Sequence, residues 1–332
     1  MRVLRSLDEL PRPLPFLVLT IGNFDGVHRG HRRILARVVK AARSRRGTAA
    51  ALTFHPHPAK ILGRPAPPLL TTLEQKLTLL EAAGLDLVLV LPFTRALSRL
   101  SPRQFVARII SRRLGARRLH VGPNFRFGHR AAGDVRVLRR LARQLGFALE
   151  VVPRVRVSEQ TASSTLIRRL LAAGRVRAAA RLLGQPYALT GDIRPGQGRG
   201  APLGFPTLNL APEQECLPAR GVYVTQTLVA GKAFPSATNV GVRPTFAPKA
   251  PARGWPASGG HPPRAHGGQG LVVESHLLGF ARTLRRGRLE VRFHERLRAE
   301  KKFSSATALR AQIRRDVERA RRFFARRPPA RV

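Results

Sequence analysis

The stretch Gly22-Asn23-Phe24-Asp25-Gly26-Val27-His28-Arg29-Gly30-His31 constrains this chain more than any other feature. It lies where a short apolar run, residues 16–23, hands over to helical spacing of Ile34, Leu35, Val38, Val39 and Ala42. The first pattern is that of a buried strand and the second that of an amphipathic helix. Backbone N–H groups and the positive dipole end at such a helix start suit an anion. Gly26 and Gly30 permit close backbone approach, and His28 and His31 can share one side of the first turn and face one phosphate. The alternative use of the two rings is capping or packing. No G-x-x-x-x-G-K-[ST] loop is present: Gly231-Lys232 is followed by Ala233, and no helix pattern follows Gly196-Gln197-Gly198-Arg199-Gly200.

Beyond this stretch the first half alternates. Strand-like segments at 48–55, 85–91, 118–122 and 148–152 are separated by helical ones at 73–83, 102–114 and 134–145, and a further helical stretch covers 165–183. Such alternation predicts a parallel sheet with helices on both faces and ligands beyond the carboxyl ends of its strands. After Pro186 the rhythm changes to short apolar runs at 187–193, 207–210, 222–229, 234–240, 271–278 and 289–293, with Gly- and Pro-bearing turns between them. That pattern predicts an antiparallel barrel, closed off by a helix over 306–324. Residues 247–270 hold almost no large apolar side chain apart from Trp255 and are expected to be a disordered insertion.

A length of 332 residues favours two domains. One cysteine, Cys216, excludes a disulfide framework and a cysteine-cluster metal site. Asp8, Glu9 and Pro11 interrupt any signal-peptide core, and no apolar run is long enough to cross a bilayer, so a cytoplasmic location is expected. The 61 Lys+Arg against 18 Asp+Glu give a formal charge of +43. These groups are dispersed from Arg2 to Arg331 without interleaved aromatics, so a nucleic-acid partner is not expected despite the charge. A basic surface still attracts phosphorylated small molecules.

The HxGH within Gly22–His31 resembles the nucleotidylyltransferase signature, and the ten residues together resemble the bacterial bifunctional riboflavin kinase/FMN adenylyltransferase (FAD synthetase) family. Thr53-Phe54-His55-Pro56-His57-Pro58, residues 121–128 (VGPNFRFG) and Ser163-Ser164-Thr165-Leu166-Ile167-Arg168 look like the remaining adenylyltransferase motifs. Leu203-Gly204-Phe205-Pro206-Thr207-Leu208-Asn209, Gly221-Val222-Tyr223, residues 239–246 (NVGVRPTF), Val273-Glu274-Ser275-His276-Leu277 and Arg298-Ala299-Glu300-Lys301-Lys302-Phe303 resemble the flavokinase half. The resemblance implies a doubly wound nucleotidylyltransferase domain over 1–184 and a flavokinase β-barrel with a terminal helix over 185–328.

The same resemblance implies ATP, riboflavin and FMN as substrates and Mg²⁺ as cofactor. His28 and His31 would stabilise the α-phosphate of ATP. Gly22, Asn23, Phe24, Asp25, Gly30 and Asn124 would line the nucleotide, and Ser164, Thr165 and Arg168 would hold its outer phosphates. His57, Asn124 and Arg298 would contact flavin. In the other half Gly204, Phe205 and Pro206 would meet ATP, Thr207 and Asn209 would hold Mg²⁺, and Glu274 would act as the base for a weakly nucleophilic hydroxyl. Glu274 alternates onto one face with Val272, His276 and Leu278; the plain alternative is a cross-strand ion pair with Arg292. Ser163 to Thr165 also read as a simple helix cap.

Ala201 stands where the family usually has arginine, and the 279–286 loop lacks an acid, an aromatic and a glycine of the family pattern. These departures raise two rival readings: an adenylyltransferase with an impaired kinase half, and, from the charge, an RNA-binding protein on the same fold. The oligomeric state is left open.

Overall fold

A computed structural model describes residues 1–10, 14–195, 204–242, 271–280 and 284–326. Ala201, the insertion at 247–270 and positions 281–283 of the altered loop lie outside the described residues. The chain divides into two compact units, Met1–Leu166 with Leu182–Gly184, and Ile167–Arg181 with Gln185–Val332.

The first unit is built on a six-stranded sheet of β1 (Arg2–Leu4), β2 (Val18–Ile21), β3 (Ala49–Phe54), β4 (Leu87–Leu91), β5 (Arg118–Val121) and β6 (Ala148–Val151). Every pairing is parallel and the order is β1-β4-β3-β2-β5-β6. Strand alternation divides the core into two layers. Val18, Ala49, Ala51, Val88 and Val90 pack with Leu35, Val38 and Ala42 of α1 (Arg29–Arg43) and Leu80 of α3 (Leu73–Ala82), which follows the short α2 (Pro58–Ile61). Leu19, Ile21, Ala50, Leu52, Leu87 and Leu89 form the opposite layer. It packs against Phe105, Val106 and Ile110 of a helix that starts as α5 (Pro102–Phe105), after the single turn α4 (Arg95–Ser98), and continues as a π-helix over Val106–Arg113. Leu138 and Leu141 of α6 (Val135–Leu145) complete this layer.

This is the doubly wound arrangement expected from the alternation. The chain reverses its direction of winding between β2 and β5, so the loops after these two strands flank the topological switch point. Gly22–His31 follows β2 and residues 122–128 follow β5. A two-stranded ribbon, β7 (Arg156–Val157) and β8 (Gln160–Thr161), leads to α7 (Ser164–Ala172). The helical stretch read over 165–183 is in fact two helices. Gly174, at φ +71°, ends α7 before α8 (Val176–Leu183) begins.

The second unit holds a closed antiparallel barrel of β9 (Tyr187–Arg194), β10 (Leu208–Pro212), β11 (Gly221–Val229), β12 (Lys232–Val242), β13 (Leu271–Leu277) and β14 (Arg288–Arg298). Its order is β10-β13-β12-β11-β14-β9. The interior combines apolar residues such as Leu189, Val273, Val291 and Phe293 with the fully buried hydroxyls of Thr225, Thr227, Ser236, Thr238 and Ser275. The final helix α9 (Ala306–Arg326) packs Ala320 and Phe324 on Val224 of β11. Among the described residues no helix is long and apolar enough to cross a membrane.

Candidate functional site

The loop after β2 is held in a backbone conformation that few side chains accept. Phe24 (φ +48°), Gly26 (φ +80°) and the β-branched Val27 (φ +37°) all lie in the left-handed region. Asp25 fastens the loop: its carboxylate accepts from the backbone N–H of Leu70 (3.0 Å) and Thr71 (3.2 Å) and from the Thr71 hydroxyl (3.3 Å). Asp25 is thereby engaged within the protein. The backbone oxygen of Asp25 also accepts from Ser164 Oγ at 2.9 Å, while Ser163 Oγ accepts from Leu166 N–H in the cap predicted for α7.

His28 is the N-cap of α1. Its Nδ1 accepts from Gly30 N–H (3.1 Å) and His31 N–H (3.3 Å), so two of the amides expected to meet an anion are already used. A Cβ at Gly30 would lie 3.0 Å from the His28 ring, so a larger residue there would push the capping ring aside by a few tenths of an ångström. The cap also decides the tautomer. With Nδ1 an acceptor, the neutral ring carries its hydrogen on Nε2 and offers it as a donor. The His28 and His31 rings stack with centroids 3.7 Å apart and 16° between planes, and Phe24 meets His31 edge-on. Burial pushes His28 down to about 4. Burial, then the nearby charges of His28 and Lys76, hold His31 well below the usual imidazole value. Capping and pairing therefore coexist, and both rings are neutral at pH 7.

His57 Nε2 lies 3.1 Å from the Asn23 amide, and His57 Nδ1 accepts from Ala59 N–H at 3.2 Å. The Asn23 atom facing Nε2 is the amide nitrogen, Nδ2. Gly22 closes over the Phe24 ring. Asn124 accepts from Arg154 and lines, with Arg126 and Asp134, an open cleft of about 400 Å³ after β5. Thr165 is exposed at the start of α7, and Arg168 follows Ser164 by one helical turn.

In the barrel, Glu274 of β13 stands directly across from Asn209 of β10 on one side and Asn239 of β12 on the other. The alternation of Val272, Glu274, His276 and Leu278 holds, but theirs is the half-buried outer face; Val273, Ser275 and Leu277 face the interior. Burial cost therefore does not single out Glu274, whereas its two asparagine neighbours do. Arg292 bonds Glu290 of its own strand at 2.5 Å. Asn209 is 7% exposed, and its Oδ1 is buried with no hydrogen-bond partner. Thr207 precedes β10 by one residue. The loop before it is braced by His276, which donates from Nδ1 to the Pro206 carbonyl (2.8 Å) and meets Phe205 edge-on, while Gly204 takes φ +84°. An orphaned buried carbonyl oxygen beside a hydroxyl and a carboxylate is a donor set that fits Mg²⁺. Arg298 is held by buried Asp316 (3.0 Å to Nε, 2.8 Å to Nη2).

Sequence reasoning missed Lys76, Arg154, Asn239 and Asp316. Lys76 was the most legible of these, because it interrupts the apolar spacing of Leu73, Leu77 and Leu80 on α3.

Known proteins agree with this division. The family model for FAD synthetase matches residues 13–166, and that for riboflavin kinase matches residues 183–324. A bifunctional riboflavin kinase/FMN adenylyltransferase of Pseudomonas fluorescens is 36% identical over 321 residues, covering 97% of each chain. Relatives of the same name from Escherichia coli (strain K12) and Bacillus subtilis (strain 168) are 34% and 31% identical, covering 99% and 92% of this chain and 100% and 92% of their own. A crystal structure from Streptococcus pneumoniae, described as a macrolide-efflux protein, shares the fold with a TM-score of 0.82 at 24% identity, covering 96% of this chain and 98% of its own. With both domains matched and relatives aligned along nearly their whole length, the chain belongs to the bifunctional riboflavin kinase/FMN adenylyltransferase family.

Proposed function

We infer that this enzyme phosphorylates riboflavin to FMN with ATP and then adenylylates FMN with a second ATP, giving FAD and pyrophosphate. The observation that carries the reading is that each compact unit contains its own built site: a neutral imidazole pair at a helix mouth in one, and an oxygen-donor row around an orphaned amide in the other. The domains we assign are 1–184 for adenylyl transfer and 185–328 for the kinase, acting in the cytoplasm on small-molecule substrates.

In the adenylyl half, the attacking FMN phosphate is already largely ionised at neutral pH, so no strong base is needed. Catalysis reduces to in-line placement and stabilisation of charge at phosphorus. His28 donates from Nε2, His31 stacks behind it, and Asn23 with Gly22 and Gly30 leave room for the α-phosphate. Ser164, Thr165 and Arg168 take the outer phosphates, with a permanently charged guanidinium suited to them. Asn124 and His57 position the nucleotide and flavin.

In the kinase half, Glu274 accepts the proton of the ribityl 5′-hydroxyl as it attacks the γ-phosphorus. Gly204, Phe205 and Pro206 form the phosphate loop, and Arg298, anchored by Asp316, borders the flavin. Thr207 and Asn209 would hold Mg²⁺, which when bound supplies charge neutralisation on the phosphates.

Purified protein given riboflavin, ATP and Mg²⁺ is expected to produce FMN and then FAD. FAD formed from FMN but never from riboflavin would leave only the adenylyltransferase. Glu274→Gln should suppress FMN formation by on the order of 10²–10⁴-fold and spare FMN-to-FAD conversion. His28→Ala with His31→Ala should do the reverse; unimpaired FAD synthesis in that variant would remove the pair from the mechanism.

A further inference from the structure

Lys76 is the buried cation that the mechanism above does not use. It lies on the second turn of α3 and is only 6% exposed, in a chain whose other charged groups are largely at the surface. An ammonium group taken out of water is costly unless an anion or a set of acceptors compensates it. Among the described residues Lys76 makes neither an ion pair nor a side-chain hydrogen bond. The carboxylate that acts on it is Asp25, but those oxygens are already engaged by Leu70 and Thr71.

The placement of Lys76 is built in from both ends. The Asp25 clamp binds the backbone of Leu70 and Thr71, immediately before the helix. The next residue, Thr72, is the N-cap of α3, in a capping box with Gln75. The histidine loop and the start of α3 are thus locked together through one carboxylate, and the lysine one turn further on is delivered to the same place. Its charge acts on both His31 and the exposed His55. Lys60 and Arg5 also act on His55. Burial lowers Lys76 from its ordinary value and Asp25 pulls it back upward, which keeps a charged state within reach.

We propose that Lys76 is a phosphate-binding catalytic residue of the adenylyl-transfer site, its ammonium group neutralising the phosphates that the uncharged His28–His31 pair alone does not. The inference rests on the adenylyltransferase reading of this loop. In the reaction, an oxygen of the FMN phosphate bonds to the α-phosphorus of ATP. The bond from that phosphorus to the bridging oxygen breaks, and its electron pair leaves on pyrophosphate. No proton is transferred at phosphorus. Negative charge accumulates on the non-bridging and leaving oxygens, and two neutral imidazole donors do not offset it. A fixed cation beside them does, and the substrate offers Lys76 an anion in addition to the Asp25 carboxylate that already acts on it.

The test compares wild type with Lys76→Met, which preserves length and apolar bulk, and with Lys76→Arg, which preserves charge. Three quantities are measured on the full chain: FMN-to-FAD turnover, affinity for inorganic pyrophosphate by calorimetry, and the melting temperature without ligand. Lys76→Met should lose about 10²–10³-fold in FAD formation. It should bind pyrophosphate roughly 10- to 100-fold more weakly. Unliganded, it should melt close to the wild-type temperature, because no hydrogen bond or close ion pair of Lys76 is lost. Lys76→Arg should recover part of the pyrophosphate affinity. Turnover and pyrophosphate affinity within about threefold of wild type in Lys76→Met would overturn the proposal, as would a large fall in its melting temperature, which would make Lys76 structural. A wild type that binds pyrophosphate through Lys76 yet makes no FAD would keep the phosphate site and discard the assigned reaction instead.

Discussion

Ser164 donates its hydroxyl hydrogen to the backbone oxygen of Asp25 at 2.9 Å, joining the start of α7 to a loop 139 residues earlier in the chain. The same Asp25 holds the start of α3 through its carboxylate. One residue therefore sets the positions of three things: the imidazole pair, the Ser164–Thr165 helix start and the helix carrying Lys76. Asp25, expected to meet nucleotide directly, thus also ties these parts together.

Ser164→Ala tests that bond. The loss of a single side-chain-to-backbone hydrogen bond costs about 1 kcal/mol of stability. FAD formation should fall further than that figure implies, by roughly tenfold or more, because the phosphate-binding hydroxyl and the loop position are lost together. FMN formation from riboflavin should be unchanged. Parallel assays of the two half-reactions, read beside a thermal melt, check this; an equal loss in both would make Ser164 a general stability residue.

Asn209→Ala bears on the metal. An amide oxygen buried without a partner destabilises the free protein by about 1–3 kcal/mol, so its removal should leave the melting temperature without Mg²⁺ unchanged or higher. The Mg²⁺ concentration giving half-maximal FMN formation should rise by on the order of tenfold or more. A Mg²⁺ titration of the kinase reaction reads this directly, and an unaltered titration would exclude Asn209 as a ligand.

Much of this architecture was legible because period and punctuation agree. The alternation of Leu87–Leu91 and Ala49–Phe54 between two core layers follows from runs of apolar residues with no polar face, which only a sheet covered on both sides can bury. What escaped was decided by tertiary context. β1 is three residues long and gains its identity only by pairing with β4. β14 continues past Phe293 through His294, Glu295 and Arg296, whose polarity hides a strand that shifts register against β11 around Val224 and Thr225. Glu274 was found by motif, but its cross-strand partner Asn239 was not, since register between β12 and β13 cannot be read across an insertion. Lys76 was visible as a break in an apolar stripe, but its partnerless burial required the fold.

The barrel interior carries a further consequence that composition concealed. Five buried hydroxyls close a ring: Thr225 to Ser236 (2.8 Å), Ser236 to Thr227 (2.8 Å), Thr227 to Ser275 (2.7 Å), Ser275 to Thr238 (2.9 Å) and Thr238 to Thr225 (2.6 Å). Each hydroxyl can donate once and accept twice, and Thr225 and Ser236 also reach each other's backbone oxygens at 3.3 and 3.0 Å, so the members support one another without water. Thr227→Val keeps the shape and takes one partner each from Ser236 and Ser275, which keep those to Thr225 and Thr238. A loss of about 1–3 kcal/mol is expected in urea unfolding. Adding Ser275→Ala should then cost less than it does in the wild type, a coupling that a double-mutant cycle measures.

Acid should weaken the fold before its carboxylates protonate. His28 and His294 are both held down at about 4, chiefly by burial, and His31, His55 and His120 are shifted the same way. In the unfolded chain these rings titrate at about 6.5. Between pH 6.5 and 4 the unfolded state therefore binds more protons, and stability falls as pH falls across that window; above 6.5 the histidines contribute no slope. Asp86 and Asp134, held below the ordinary carboxylate value, add their losses only at lower pH. His294 lies at the register shift of β14 with Phe323 and Phe324 packed on it, its Nε2 buried without a partner. His294→Phe replaces a ring that must stay neutral with one that never charges. Its melting temperature should therefore decline less than that of wild type between pH 7 and 4.5, while the two remain close at pH 7. Parallel pH dependences would show that His294 takes up its proton without opening the barrel–helix contact.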